Sequence, residues 1–108
     1  MLIEYVPVEG KLPDAEGVLY TVPAGCKVRM HSLAIKNTSA ATVTTQVYVR
    51  GQADTSIHLV HFLLPAGHSV WWKEDELPVL DEGDTVRGVA GTADVVEYVM
   101  SFIEEHLV

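Results

Sequence analysis

The chain has 108 residues, 48% of them hydrophobic, with seven basic and fifteen acidic residues and a net charge of −8. That is the length of one domain and the composition of a folded protein. So acidic a chain repels phosphate backbones, which argues against a nucleic-acid partner. The start "MLIEYVPVEG" lacks the basic region and the apolar run of a signal peptide. No window approaches the roughly 18 apolar residues of a membrane span. Cys26 is the only cysteine, so no internal disulfide can form. That suits a reducing compartment or a protein indifferent to redox state.

Residues 1–17 carry no clean pattern and are assigned to an N-terminal arm or loop of a single domain spanning 1–108. "VLYTV" (18–22) reads as the first strand. "KVRMHSLAIK" (27–36) is the second, and it changes phase: Val28 and Met30 are even, Leu33 and Ile35 odd. A β-bulge near His31–Ser32 explains the change. "TVTTQVYVR" (42–50) alternates strictly, with Val43, Thr45, Val47 and Val49 on one face. "SIHLVHFLL" (56–64), "HSVWWK" (68–73), "LPVL" (77–80) and "DTVRGVA" (84–90) follow as strands. In "DVVEYVMSFIEE" (94–105), Val96, Tyr98, Met100 and Phe102 make one wholly apolar face, which favours a strand over a helix.

Three turns share one grammar: Val22-Pro23-Ala24-Gly25, Leu64-Pro65-Ala66-Gly67 and Leu80-Asp81-Glu82-Gly83. Proline presets φ at the first turn position, and glycine takes a conformation closed to other residues. Each ends one strand and begins the next, which places Val28, Val70 and Val86 at equivalent inward positions. "NTSAA" (37–41), "GQADTS" (51–56) and "GTAD" (91–94) are further turns. Asn37-Thr38-Ser39 matches a glycosylation sequon but is taken as a turn. About eight short strands with frequent turns define an all-β fold, an antiparallel β-sandwich of jelly-roll-like form.

A hairpin is expected at Pro65-Ala66-Gly67, setting Phe62 against Val70, Val60 against Trp72 and His61 against Trp71. Trp71 and Trp72 must then point to opposite faces, and because a bulge at Gly67 would shift the register by one residue, which of them faces outward stays open. One face holds Val60, Phe62, Leu64, Val70 and Trp72. The other holds Ile57, Leu59, Leu63 and Trp71 around His61, and it too is apolar. Another subunit is the simplest cover for it; a loop or the N-terminal arm is the other. Trp71, Trp72, Tyr48, His61 and Leu59 are therefore the interface candidates.

Little in the sequence points to catalysis. His58 and His61 are three apart, so on a regular strand they diverge, and no set of metal ligands is evident. Cys26 follows a turn glycine, has no recognisable histidine partner, and reads as a small core residue. "EDE" (74–76) reads as a solvated turn. No glycine-rich phosphate loop is present. We therefore expect no catalytic residues, no metal and no cofactor.

"LYTVPAGCKVRMHSLAIKNTSAATVTTQVYV", "LPAGHSV", "LPVLDEGDTVRGVA" and "VEYVMSFIEE" together resemble small structural proteins of tailed bacteriophages, over about residues 18–105. The resemblance implies a β-sandwich in the virion, at the head surface, neck or tail, made in the host cytoplasm and without enzymatic activity. It implies partners among capsid or tail subunits and copies of itself, a trimer or higher ring, with no membrane. Trp71-Trp72 and the acidic "KEDE" depart from the family pattern. "LPAG" and "L-x-x-GD" are also similar to phrases of cupins, metal-binding β-barrels, but the His-x-His pair of that family is missing. A cupin-like or carbohydrate-binding module is the alternative.

Overall fold

The computed structural model describes residues 2–51 and 56–107. The turn expected over 51–56 falls mostly on 52–55, outside the described residues. The strands are β1 (Leu2–Lys11), β2 (Gly17–Thr21), β3 (Cys26–Asn37), β4 (Val43–Arg50), β5 (Ser56–Leu64), β6 (Ser69–Trp72), β7 (Val79–Leu80), β8 (Thr85–Ala90) and β9 (Val96–His106). A 3-10 turn, Glu74–Glu76, separates β6 from β7.

Two antiparallel sheets face each other. One runs β1-β9-β3-β6, with β7 also paired to β3; the other runs β2-β8-β4-β5. Most successive strands cross from one sheet to the other, which is the jelly-roll arrangement. The core lies between the sheets. Val28, Met30, Leu33 and Ile35 of β3 and Val96, Met100 and Phe102 of β9 meet Val47, Val60, Leu64 and Val86 of the opposite sheet. The alternation read in β4 and β9 is this inward set. The phase change in β3 is a bulge, where its register with β9 slips between Met30 and Ser32.

The three turns are the corners of the jelly roll. Cys26 N–H donates to Pro23 O (3.3 Å), His68 N–H to Pro65 O (3.1 Å) and Asp84 N–H to Asp81 O (3.0 Å). Each turn thus begins at the proline or its aspartate counterpart, one residue later than the sequence suggested. Gly25, Gly67 and Gly83 sit third in their turns with φ of 75°, 72° and 85°, where a type II turn requires a positive angle. Each corner carries the chain between sheets: β2 to β3, β5 to β6 and β7 to β8. The three valines that follow all point inward, Val28 and Val86 fully and Val70 in part.

Two expectations are corrected. Residues 2–11 are not an arm or loop but β1, an edge strand paired with β9 from Leu2↔His106 to Lys11↔Glu97; with it the strands among the described residues number nine. And β5 and β6 do not form a hairpin. β5 pairs with β4, and β6 pairs with β3. The pairs Phe62–Val70, Val60–Trp72 and His61–Trp71 are therefore not cross-strand neighbours.

Candidate functional site: an open sheet edge at the flank of the tryptophan pair

Although β5 and β6 lie in different sheets, the corner between them stacks the two edges on one flank of the sandwich. The expected division of their side chains holds only in part. Val60, Leu64, Val70 and Trp72 turn inward, and the Phe62 and Trp72 rings stack across the gap at 6.4 Å. Trp71 pairs with Ala34 on the outer face of its sheet and is 68% exposed. Trp71 is thus the outward tryptophan and Trp72 the inward one.

The N-terminal segment does not cover this flank, since β1 lies at the opposite edge of its sheet. Ile57 and Leu63 stand exposed on β5, and Phe62 partly so. Leu59 packs against the rim of the core. An open groove of about 410 Å³ runs between the edges, lined by Ile57, Leu59, Trp72, Leu77 and Pro78 among others. Natural edge strands are usually blunted by charges or proline. "SIHLVHFLL" contains neither, its one guard is a bulge at Leu59, and among the described residues no strand lies beside its outer backbone edge.

His61 is exposed on the outer face, and here the strand rule fails. The β4–β5 register slips between Val47↔Val60 and Tyr48↔His58, leaving Leu59 as the extra residue. The slip brings His58 and His61 to the same face, with ring centroids 5.0 Å apart. Tyr48, next to His58, is only 5% exposed. Its hydroxyl donates to the Glu16 carboxylate, to which Arg87 (2.7 Å) and Arg50 (3.3 Å) also bind. Of the five sequence candidates, Leu59 and Trp72 share the groove between the β5 and β6 edges, Trp71 and His61 stand on the outer faces of opposite sheets, and Tyr48 is buried within the subunit.

The Tyr48 hydrogen bond, then Arg87, hold the Glu16 carboxyl below its ordinary value. A folded value below the unfolded one adds stability above the unfolded value of about 4.3, and the gain is lost as pH falls through the folded value. Glu16→Gln is expected to lower the melting temperature at neutral pH, with the deficit vanishing in acid. An equal deficit at both ends of a pH series of thermal melts would overturn this.

At the far end of the sandwich, Cys26 Sγ lies 3.4 Å from His106 Nδ1, a partner the sequence did not reveal. Such a pair can form a nucleophile and its base. Burial, with help from the Glu104, Glu4 and Glu82 carboxylates, pushes the Cys26 thiol up, and the residue is nearly inaccessible. A reactive thiolate needs the opposite setting.

Comparison with known proteins bears on the fold. No family model matches the chain, and no curated protein matches it. A solved structure described as "Bacillus endospore appendages form a novel family of disulfide-linked pili" is similar over 99% of this chain and 88% of that one, with 14% identity and a TM-score of 0.60. At that identity the likeness is one of fold.

Proposed function

We propose that this protein is a non-enzymatic structural subunit that assembles with copies of itself through the β5–β6 flank. The observation that carries this is the open β5 edge, nine residues long, with Ile57 and Leu63 exposed on it, and Trp71 exposed on the outer face of the other sheet at the same flank. A second copy suits it because the opposite flank, β1 and β2, is also apolar, exposing Leu2, Ile3, Tyr5 and Val18. One flank docking on the other makes a head-to-tail contact, which closes into a ring or runs on as a filament. A likeness to a pilus protein supports polymer formation. The disulfide link in that protein's description does not carry over, because these 108 residues hold one cysteine and it is buried.

A place in a phage virion, as a head, neck or tail accessory subunit bound to capsid or tail proteins, is our more specific proposal. It is supported by the turn phrases over residues 18–105. Those phrases are the corners of a jelly roll, a fold that capsid proteins share with lectins and cupins.

Light scattering behind a sizing column tests the assembly. The wild type is expected as a trimer or larger. Leu63→Lys and Trp71→Ala are expected to give monomers that melt as wild type does, since both side chains are exposed. A wild-type monomer at high concentration, or variants that assemble normally, would overturn the proposed contact. Tryptophan fluorescence that responds to sugars would favour a carbohydrate-binding module instead.

A further inference from the structure

The last inward position of β9 before its end is Glu104, and the next is His106. Across the sheet, His106 pairs with Cys26 at the start of β3, and Glu104 pairs with Glu4 on β1. The strand period therefore stacks a thiol, an imidazole and a carboxylate at one end of the core. Their donor atoms all lie within 4.8 Å of one another.

Glu104 is only 7% exposed. Burying a carboxylate is costly unless a cation compensates it, yet among the described residues neither lysine nor arginine forms an ion pair with it. Its Oε2 accepts a hydrogen bond from the Tyr20 hydroxyl at 2.5 Å. Its Oε1 lies 3.6 Å from His106 Nε2. That nitrogen is buried and lacks a hydrogen bond of good geometry, although Glu4 Oε1 stands 3.2 Å away. The cluster thus holds two acceptors and a thiol around one imidazole, short of positive charge.

We propose that Cys26, His106 and Glu104 form a binding site for a divalent cation of the zinc class. Sulfur, nitrogen and oxygen donors in one set suit zinc better than the hard cations, which take oxygen alone. In four-coordinate zinc sites the bond lengths put neighbouring donors about 3.5 Å apart. The 3.4 Å between Cys26 Sγ and His106 Nδ1 already has that spacing, so Nδ1 is the ligating nitrogen. Nε2 then faces the Glu4 carboxylate, 3.2 Å away, and a small turn of either group would make Glu4 the outer partner that fixes the ring's tautomer and orientation. Tyr20 does the same for Glu104, holding Oε2 and leaving Oε1 for the ion. Glu104 Oε1 lies nearest the other ring nitrogen, 3.6 Å from Nε2, so closing the site needs the carboxylate to swing towards the Nδ1 side. Cys26 also lines a surface groove with Gly25, Lys27, Asp81, Glu82 and Leu107, which places the cluster just beneath the surface.

Cobalt(II) titration of the whole chain under reducing conditions tests this. One equivalent is expected to bind with a thiolate-to-cobalt charge-transfer band, which zinc then bleaches. Cys26→Ala is expected to lose the band. Glu4→Gln is expected to keep it and weaken affinity about 10-fold or more, as outer-shell changes do. Zinc is expected to raise the melting temperature of the wild type and not of Cys26→Ala. The wild-type titration is decisive without any variant: no charge-transfer band at saturating cobalt overturns the site. Cobalt bound without that band, as the exposed His58–His61 pair would hold it, overturns it equally.

Discussion

Phe102→Ala is expected to cost about 3–5 kcal/mol of folding stability, the range for removing a fully buried phenylalanine. Phe102 lies on β9 between Val6 of β1 and Met30 of β3. Its ring stacks on Tyr20 of the opposite sheet with centroids 3.9 Å apart and planes 11° from parallel. The loss is thus double: a cavity opens between the sheets, and Tyr20 loses the surface that positions its hydroxyl against Glu104. Urea unfolding followed by far-ultraviolet circular dichroism measures it. Phe102→Leu, which refills part of the space, is expected to fall well short of the alanine loss. An alanine loss under about 1 kcal/mol would mean the site collapses without penalty, contrary to its dense packing.

What the sequence discloses about this fold is its local physics. Strict alternation wrote the inward faces of β4 and β9 into the chain, and a break in phase located the bulge of β3. What it conceals is which sheet a strand joins. Pro-Ala-Gly reverses the chain equally well in a hairpin and in a corner between sheets. The turn chemistry at Pro65 therefore could not separate the two, and the expected β5–β6 pairing went to other partners. β1 escaped notice for a different reason. As an edge strand it buries no side chain fully; only Val6 and Val8 pack in part on the core, too short an alternation to stand out, and the strand is held largely through backbone pairing with β9.

The candidate surface was half legible for the same reasons. Two adjacent tryptophans on a strand must diverge, and both parities of β5 are apolar, so an uncovered face followed from the residues alone. That apolar evenness also hid the β5 bulge. "SIHLVHFLL" shows no phase break, so nothing signalled that Leu59 would be the extra residue and bring His58 and His61 together. The Cys26–His106 pair was within reach. Carrying the inward period of β9 two steps past Phe102 arrives at Glu104 and His106, and carrying β3 one step before Val28 arrives at Cys26. Those steps break with the apolar pattern, and a buried polar group is where pattern and chemistry part company.

Asn37→Ala is expected to cost about 2–4 kcal/mol, because buried groups left without partners are penalised by about 1–3 kcal/mol each. Asn37 is fully buried at the end of β3. Its amide donates to Ala41 O (2.7 Å) and Leu64 O (2.9 Å), and its Oδ1 accepts from Ser39 N–H (2.9 Å) and the Ser39 hydroxyl (2.7 Å). Its backbone accepts from Gly67 N–H and donates to His68 O, both at 3.0 Å. One side chain thus ties the β3–β4 turn to the corner between β5 and β6, and a sequon asparagine so placed has no room for a glycan. Asn37→Asp keeps the acceptor for Ser39 but turns a second oxygen towards two carbonyls. At neutral pH it is expected to cost at least as much as alanine. The buried aspartate would have its folded value raised above the unfolded one, so its deficit shrinks as pH falls through the folded value, where protonation restores one donor. Denaturation of both variants at neutral and acid pH checks this. An aspartate variant whose deficit is independent of pH would show that water, rather than the side-chain amide, satisfies Leu64 O.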